Sequence, residues 1–185
     1  MTATQAFIAW RRQRLGLVSF VGVALVVAAG ARHLTLSVVA VALVWITAFR
    51  LWDDLMSRAD DARRHPERVV VRGPVAPFAR AAVVAVAMGA VVAAITGVLW
   101  GFAFIVVALV AVYAAPVPSA VRGTLVLLKY PAMAAALSSS THPPGLWHLL
   151  LLFLCFLVDD RLTGERPMPG RALPFVLTFF LLCLL

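Results

Sequence analysis

Long apolar runs separated by short polar breaks set the pattern of this chain. Runs at 15–31, 34–51, 75–95, 99–115, 121–137, 146–158 and from about 170 to 185 predict seven helical spans. A helix needs about 20 residues to cross the hydrocarbon of a bilayer, so the sixth and seventh runs are the least complete. The breaks carry residues that stop helices: Arg32-His33, Thr96-Gly97, Pro116 and Pro118, and the loop Ser138 to Gly145, with Pro143 and Pro144. The expected fold is all-α and polytopic, a bundle of about seven transmembrane helices forming one domain over 1–185.

Composition turns that pattern into a membrane protein. A chain that is 63% hydrophobic and 13% charged, with mean hydropathy +1.00, holds more apolar surface than one soluble core can cover. The first run follows Arg11, Arg12 and Arg14 and lacks a small-residue cleavage pattern, so a first span is expected there instead of a signal peptide. With the N-terminus cytoplasmic, Arg11, Arg12, Arg14, Arg50, Arg58, Arg63, Arg64, Arg68, Arg72, Arg80, Arg122, Arg161, Arg166 and Arg171 fall on or near one side. Arg32 alone lies opposite. The expected location is the cytoplasmic (inner) membrane of a bacterium. The net charge of +8 then reports topology and contact with anionic headgroups, with no nucleic-acid partner expected. Cys155 and Cys183 sit inside apolar runs and read as small hydrophobes.

Against this background the acids stand out. Five of the eight lie between Asp53 and Glu67; the others, Asp159, Asp160 and Glu165, follow the sixth run. Seven crossings bring both groups to the same face. If the helix continues past Leu51, Asp53 and Asp60 share one face and Asp54 and Asp61 another, giving two carboxylate rows about 10 Å long. Oxygen ligands without a neighbouring His or Cys favour a hard ion, and magnesium is the one expected. The acids also sit at helix C-termini, where the macrodipole disfavours negative charge by about 0.3 to 1 kcal/mol, so a positive occupant is expected. The competing explanation pairs them with Arg58, Arg63 and Arg64 on a solvated loop.

Asp53-Asp54-Leu-Met-Ser57-Arg58-Ala-Asp-Asp61, continued by Ala-Arg-Arg-His65-Pro66-Glu67-Arg68, resembles the first aspartate-rich motif of the UbiA-type intramembrane prenyltransferases. Asp53 takes the Asn position, and Ser57 stands where that pattern has aspartate. Tyr113 to Arg122 is similar to the family's Tyr and Pro segment. Asp159-Asp160 sits where the second motif begins, with Thr163 where another Asp is expected. The resemblance implies a UbiA-like bundle with both motifs on the cytoplasmic side and a cavity in which Mg2+ bridges aspartates to an isoprenyl diphosphate. It implies Asp53, Asp54, Asp61, Asp159 and Asp160 as metal ligands, Asp54, Asp61 and Asp160 as catalytic residues, and Arg58, Arg122 and Lys129 as diphosphate-binding cations. The activity implied is prenyl transfer from the allylic diphosphate to an acceptor of aromatic, quinone-like or polyol character.

The alternative is a non-catalytic relative that keeps the fold as a membrane binding or scaffold protein. Small residues at Gly16, Gly22, Gly30 and Gly89 allow close helix approach and a possible homo-oligomer. An alcohol phosphatidyltransferase pattern is touched only by Asp60-Asp61-Ala62-Arg63. Ser138, Ser139 and Ser140 with His142 and His148 lack a nucleophile motif and read as a polar loop.

Overall fold

A computed structural model describes residues 1–14, 17–138, 143–163 and 172–184. Among them the backbone is helical, with no strand: α1 (Ala3–Arg14), α2 (Leu17–Gly30), α3 (Leu36–Met56), α4 (Arg58–Arg64), α5 (Val69–Arg72), α6 (Val75–Ile95), α7 (Leu99–Ala114), α8 (Ser119–Val126), α9 (Lys129–Leu137), α10 (Leu146–Thr163) and α11 (Ala172–Leu184). Among the described residues three segments are long and apolar enough to cross a membrane: Leu36–Met56, Val75–Ile95 and Ser119–Leu137, the last made of α8 and α9 together. The expected runs at 15–31 and 99–115 contain shorter apolar helices, Phe20–Gly30 and Leu99–Ala114. The run at 146–158 falls inside α10, and the last run corresponds to α11, with residues 170, 171 and 185 outside the described residues.

The apolar helices pack in a ring that follows chain order. α3 lies on α6, α6 on α7, α7 on α9, α9 on α10, α10 on α11, α11 on α2, and α2 closes back on α3. Contacts of α2 with α9 and α10 fill the middle. The main core joins Trp45 and Phe49 of α3 to Phe102 of α7, with ring centroids 5.2 and 5.4 Å apart. On the other side Tyr130 of α9 stacks on Phe156 of α10 at 3.6 Å, and Phe156 tilts onto Phe175 of α11. Gly89 lets α6 approach α3 closely: its carbonyl accepts from the Trp45 indole at 3.3 Å, and a Cβ there would come within 2.8 Å of the Phe102 ring. The outer faces of α6 and α7 expose Val83, Val84, Met88, Val91, Trp100, Phe104 and Val107, as helices bathed in lipid do.

Two breaks shape the site. Ser57 ends α3: its hydroxyl donates back to the Asp53 carbonyl at 2.7 Å, competing with the helical ladder, and the chain turns there before α4. Pro131 lacks an N–H and crowds the carbonyl of Leu127, so α8 and α9 are joined by three-residue turns at Leu127 and Leu128 instead of a continuous helix. Lys129 thereby becomes the first residue of a helix in the interior.

The N-terminal helix α1 packs along α6 and α5. Ala6 and Trp10 are fully buried there, in a second core with Leu51, Val70, Phe78, Ala81 and Ala82, while Arg11, Arg12 and Gln13 face outward.

Candidate functional site

One end of the ring gathers charge. α3 brings Arg50, Asp53 and Asp54 there, α4 brings Asp61, α7 brings Tyr113, α9 brings Lys129 and Tyr130, and α10 brings Asp159. Buried ionic groups cost several kcal/mol unless paired, so each must find a partner, and the pairings organise the site.

Asp53 accepts from Lys129 Nζ in a close ion pair and from the Tyr113 hydroxyl at 3.0 Å. The Lys129 side chain is 3% exposed, and its ammonium also lies 5.1 Å from the Tyr130 ring centre. Asp54 is buried and accepts the Trp10 indole N–H at 2.7 Å. Asp61 of α4 is buried and pairs with Arg68 at 2.6 Å, with the Ser57 hydroxyl at 3.4 Å. Arg50 faces the Tyr130 hydroxyl and lies within electrostatic range of both Asp54 and Asp159. The charge of Asp160 reaches Lys129, although Asp160 stands on the exposed side of α10 while Asp159 is buried. Arg50 and Lys129 thus stand within electrostatic range of acids from both groups.

The two straight carboxylate rows do not form. They required an unbroken helix from Leu51 to Asp61, and the turn at Ser57 interrupts it. Asp54 and Asp61 turn inward, whereas Asp60 sits at the surface, paired with Arg63 at 2.7 Å.

The three expected diphosphate cations have different surroundings. Lys129 enters the buried charge cluster and pairs with Asp53. Arg58 spends its fork on the chain itself, donating to the carbonyls of Val70 and Val71 at 2.9 Å and of Gly73 at 3.2 Å, which ties α4 to α5. Arg122 donates to the carbonyls of Ala115 and Val117 and closes the Pro116 to Pro118 turn. Glu165 and the loop serines Ser139 and Ser140 lie outside the described residues.

The donor set is of the oxygen type that magnesium prefers, but its arrangement does not fit a shared ion. Asp53 is turned to Lys129, Asp61 to Arg68 and Asp54 to an indole. Among the described residues no three His, Cys, Asp or Glu side chains come close enough to hold a metal.

Trp10, Arg50 and Tyr130 are members of the site that motif reading passes over. Arg50 opens the acidic stretch in the sequence and could have been found as the cation nearest Asp53 and Asp54. Trp10 lies 44 residues from its partner, but α1 has a legible start: Thr2 and Gln5 exchange a reciprocal capping pair, at 2.8 and 3.2 Å.

Fold and site together define a helical membrane protein with a buried, internally paired charge cluster at one end of its bundle. No family model, curated protein or solved structure matches the chain.

Proposed function

We propose that this chain is a UbiA-like intramembrane prenyltransferase that binds an isoprenyl diphosphate at the charged end of the ring and transfers its prenyl group to an acceptor. The observation that carries the reading is the buried contact of Asp53 with Lys129 and Tyr113, drawn from helices far apart in sequence, with Asp54 held by Trp10 and Arg50 within electrostatic range of Asp54 and Asp159. Ion pairs buried in an apolar bundle rarely add net stability over hydrophobic packing, so a cluster of this size argues for use. The ring of seven apolar helices supports a seven-span bundle with its charged end on the cytoplasmic side, where the Arg-rich segments lie.

In this reading Lys129 and Arg50 are the groups able to turn from their carboxylates to a diphosphate, stabilising the negative charge that grows as the allylic carbon to oxygen bond breaks. Tyr113 holds Asp53 in place meanwhile. Magnesium, which the resemblance implies, requires Lys129 to leave Asp53 and the acids to regroup.

The pairing of each acid with a cation or N–H of the chain favours a second reading: a non-catalytic membrane binding or scaffold protein in which the cluster locks the helices together. Binding of geranylgeranyl diphosphate to the purified chain, with and without magnesium and compared with Asp54→Ala, separates the two. Binding that requires Asp54 supports the transferase reading. Folded protein that binds no diphosphate under either condition supports the scaffold.

A further inference from the structure

Nothing in its own helix calls for a cation at Lys129. The rest of α9, Tyr130-Pro-Ala-Met-Ala-Ala-Ala-Leu137, is uncharged and packs against α7, α10 and α2. The Lys129 side chain is buried, and it stands in the first turn of α9, where the helix dipole disfavours positive charge. Burial and dipole both oppose the ammonium, so the acids around it are what hold it. Those acids come from both groups: Asp53 of α3 touches the ammonium, and Asp160 of α10 acts on it through its charge. The Tyr130 ring lies beside it as well, a surface that suits a cation.

We infer that Lys129 is a built-in counter-ion that takes the place of a divalent cation shared by the two acidic groups, so that the resting protein holds no such cation at Asp53. An ion approaching Asp53 meets the Lys129 charge in contact with that carboxylate and, within range of Lys129, the charge of Arg50. Like charges at this depth repel strongly, because little water screens them. The other acids of the first group are engaged in the same manner, Asp61 by Arg68 and Asp54 by the Trp10 indole. Removing the Lys129 charge reverses the balance at Asp53. The Asp53 side chain is 17% exposed and Asp160 stands on the exposed side of α10, so both carboxylates are reachable from water. They offer the oxygen ligands that a hard divalent ion prefers. The inference goes beyond the transferase reading and does not depend on it, since it concerns the cation that these carboxylates hold with no diphosphate present.

The test titrates Mn2+, a paramagnetic stand-in for Mg2+, into the full chain in nanodiscs of phosphatidylcholine, with empty nanodiscs as the blank. Free Mn2+ is read by electron paramagnetic resonance, and Mg2+ is the competitor. The wild type takes up no Mn2+ that Mg2+ can displace. Lys129→Gln keeps a hydrogen-bond donor for Asp53 and loses the charge, and it binds Mn2+ at least about a hundredfold more tightly than the wild type. The gain disappears when Asp53→Asn is added and shrinks when Asp160→Asn is added. Mg2+ also raises the thermal midpoint of Lys129→Gln and leaves that of the wild type unchanged, a linkage that a lysine acting through packing alone would not create. A Lys129→Gln chain that folds only with Mg2+ present gives the same result in another form. Two outcomes overturn the inference: Mn2+ bound by the wild type and lost in Asp53→Asn, or folded Lys129→Gln that binds no more Mn2+ than the wild type. If Lys129→Gln folds under neither condition, the comparison of the wild type with Asp53→Asn decides alone, displaceable Mn2+ at Asp53 overturning the inference and its absence supporting it.

Discussion

The indole of Trp10 and the carboxylate of Asp54 meet at 2.7 Å inside the protein, joining the N-terminal helix to the acidic end of α3 across 44 residues of sequence. Gln13, one turn further along α1, extends the join: its amide donates to the Glu67 carbonyl at 3.2 Å and its oxygen accepts from the Val69 N–H at 2.7 Å. The helix is thus tied both to the acid and to the segment that carries Arg68.

Trp10→Phe keeps most of the apolar body and removes the donor to Asp54. A hydrogen bond to a charged group contributes about 1.5 to 3 kcal/mol, so the unfolding midpoint in detergent falls accordingly. In an Asp54→Leu background, which has no side-chain acceptor, the same substitution costs distinctly less, because the two residues act as a pair. Equal losses in both backgrounds would show that Trp10 matters through packing alone.

Lys129→Met strands the Asp53 carboxylate inside the bundle. Removing one partner of a buried pair is expected to cost about 3 to 5 kcal/mol. The double variant Lys129→Met with Asp53→Asn recovers most of that loss, since an amide left with the Tyr113 hydroxyl carries no uncompensated charge. Denaturant unfolding of the single and double variants measures the recovery.

Arg58→Lys keeps the charge but loses the planar fork that holds three carbonyls. The expected result is local: amide hydrogens around Val70 to Gly73 exchange about 5 to 30 times faster, as a loss of one to two kcal/mol implies, while those of α6 and α7 are unchanged. A uniform acceleration through the chain would mean that Arg58 supports the whole fold.

Gly89→Ala forces a methyl group against Phe102, a ring already held between Trp45 and Phe49. Overpacking of this kind costs about 1 to 3 kcal/mol. Phe102→Leu in the same chain makes room and restores part of the loss, read as a shift in thermal midpoint.

The apolar runs located the helices because lipid leaves the backbone few other ways to satisfy its hydrogen bonds, and the long run of hydrophobic side chains is the direct record of that constraint. The acidic stretch was equally visible, since carboxylates are expensive at that depth. What the pattern did not carry was local. Ser57 is a single hydroxyl, yet its bond to the Asp53 carbonyl ends α3 and undoes the straight carboxylate rows. Pro131 lies within the apolar run 121–137, which does not reveal the turn that places Lys129 at a helix start. Trp10 belongs to an amphipathic helix with two fully buried side chains among those described, too sparse a stripe to register beside runs of fifteen or more apolar residues. Pairings such as Trp10 with Asp54 and Lys129 with Asp53 depend on how helices neighbour one another, and a linear pattern holds no term for that.

The closure of the ring has a consequence for biosynthesis. α2 leaves the ribosome well before its partners α9, α10 and α11, which are made after α3 to α8. Until they arrive, the small-residue face of α2, where Gly30 meets Leu152, has only lipid or the insertion machinery to lie against. Final assembly is therefore a post-insertional event, with contacts between the two ends of the sequence formed late. Asp53 and Arg50, inserted with α3, await Lys129, Tyr130 and Asp159 until α9 and α10 follow, so the buried charge cluster is completed only when these helices join the ring.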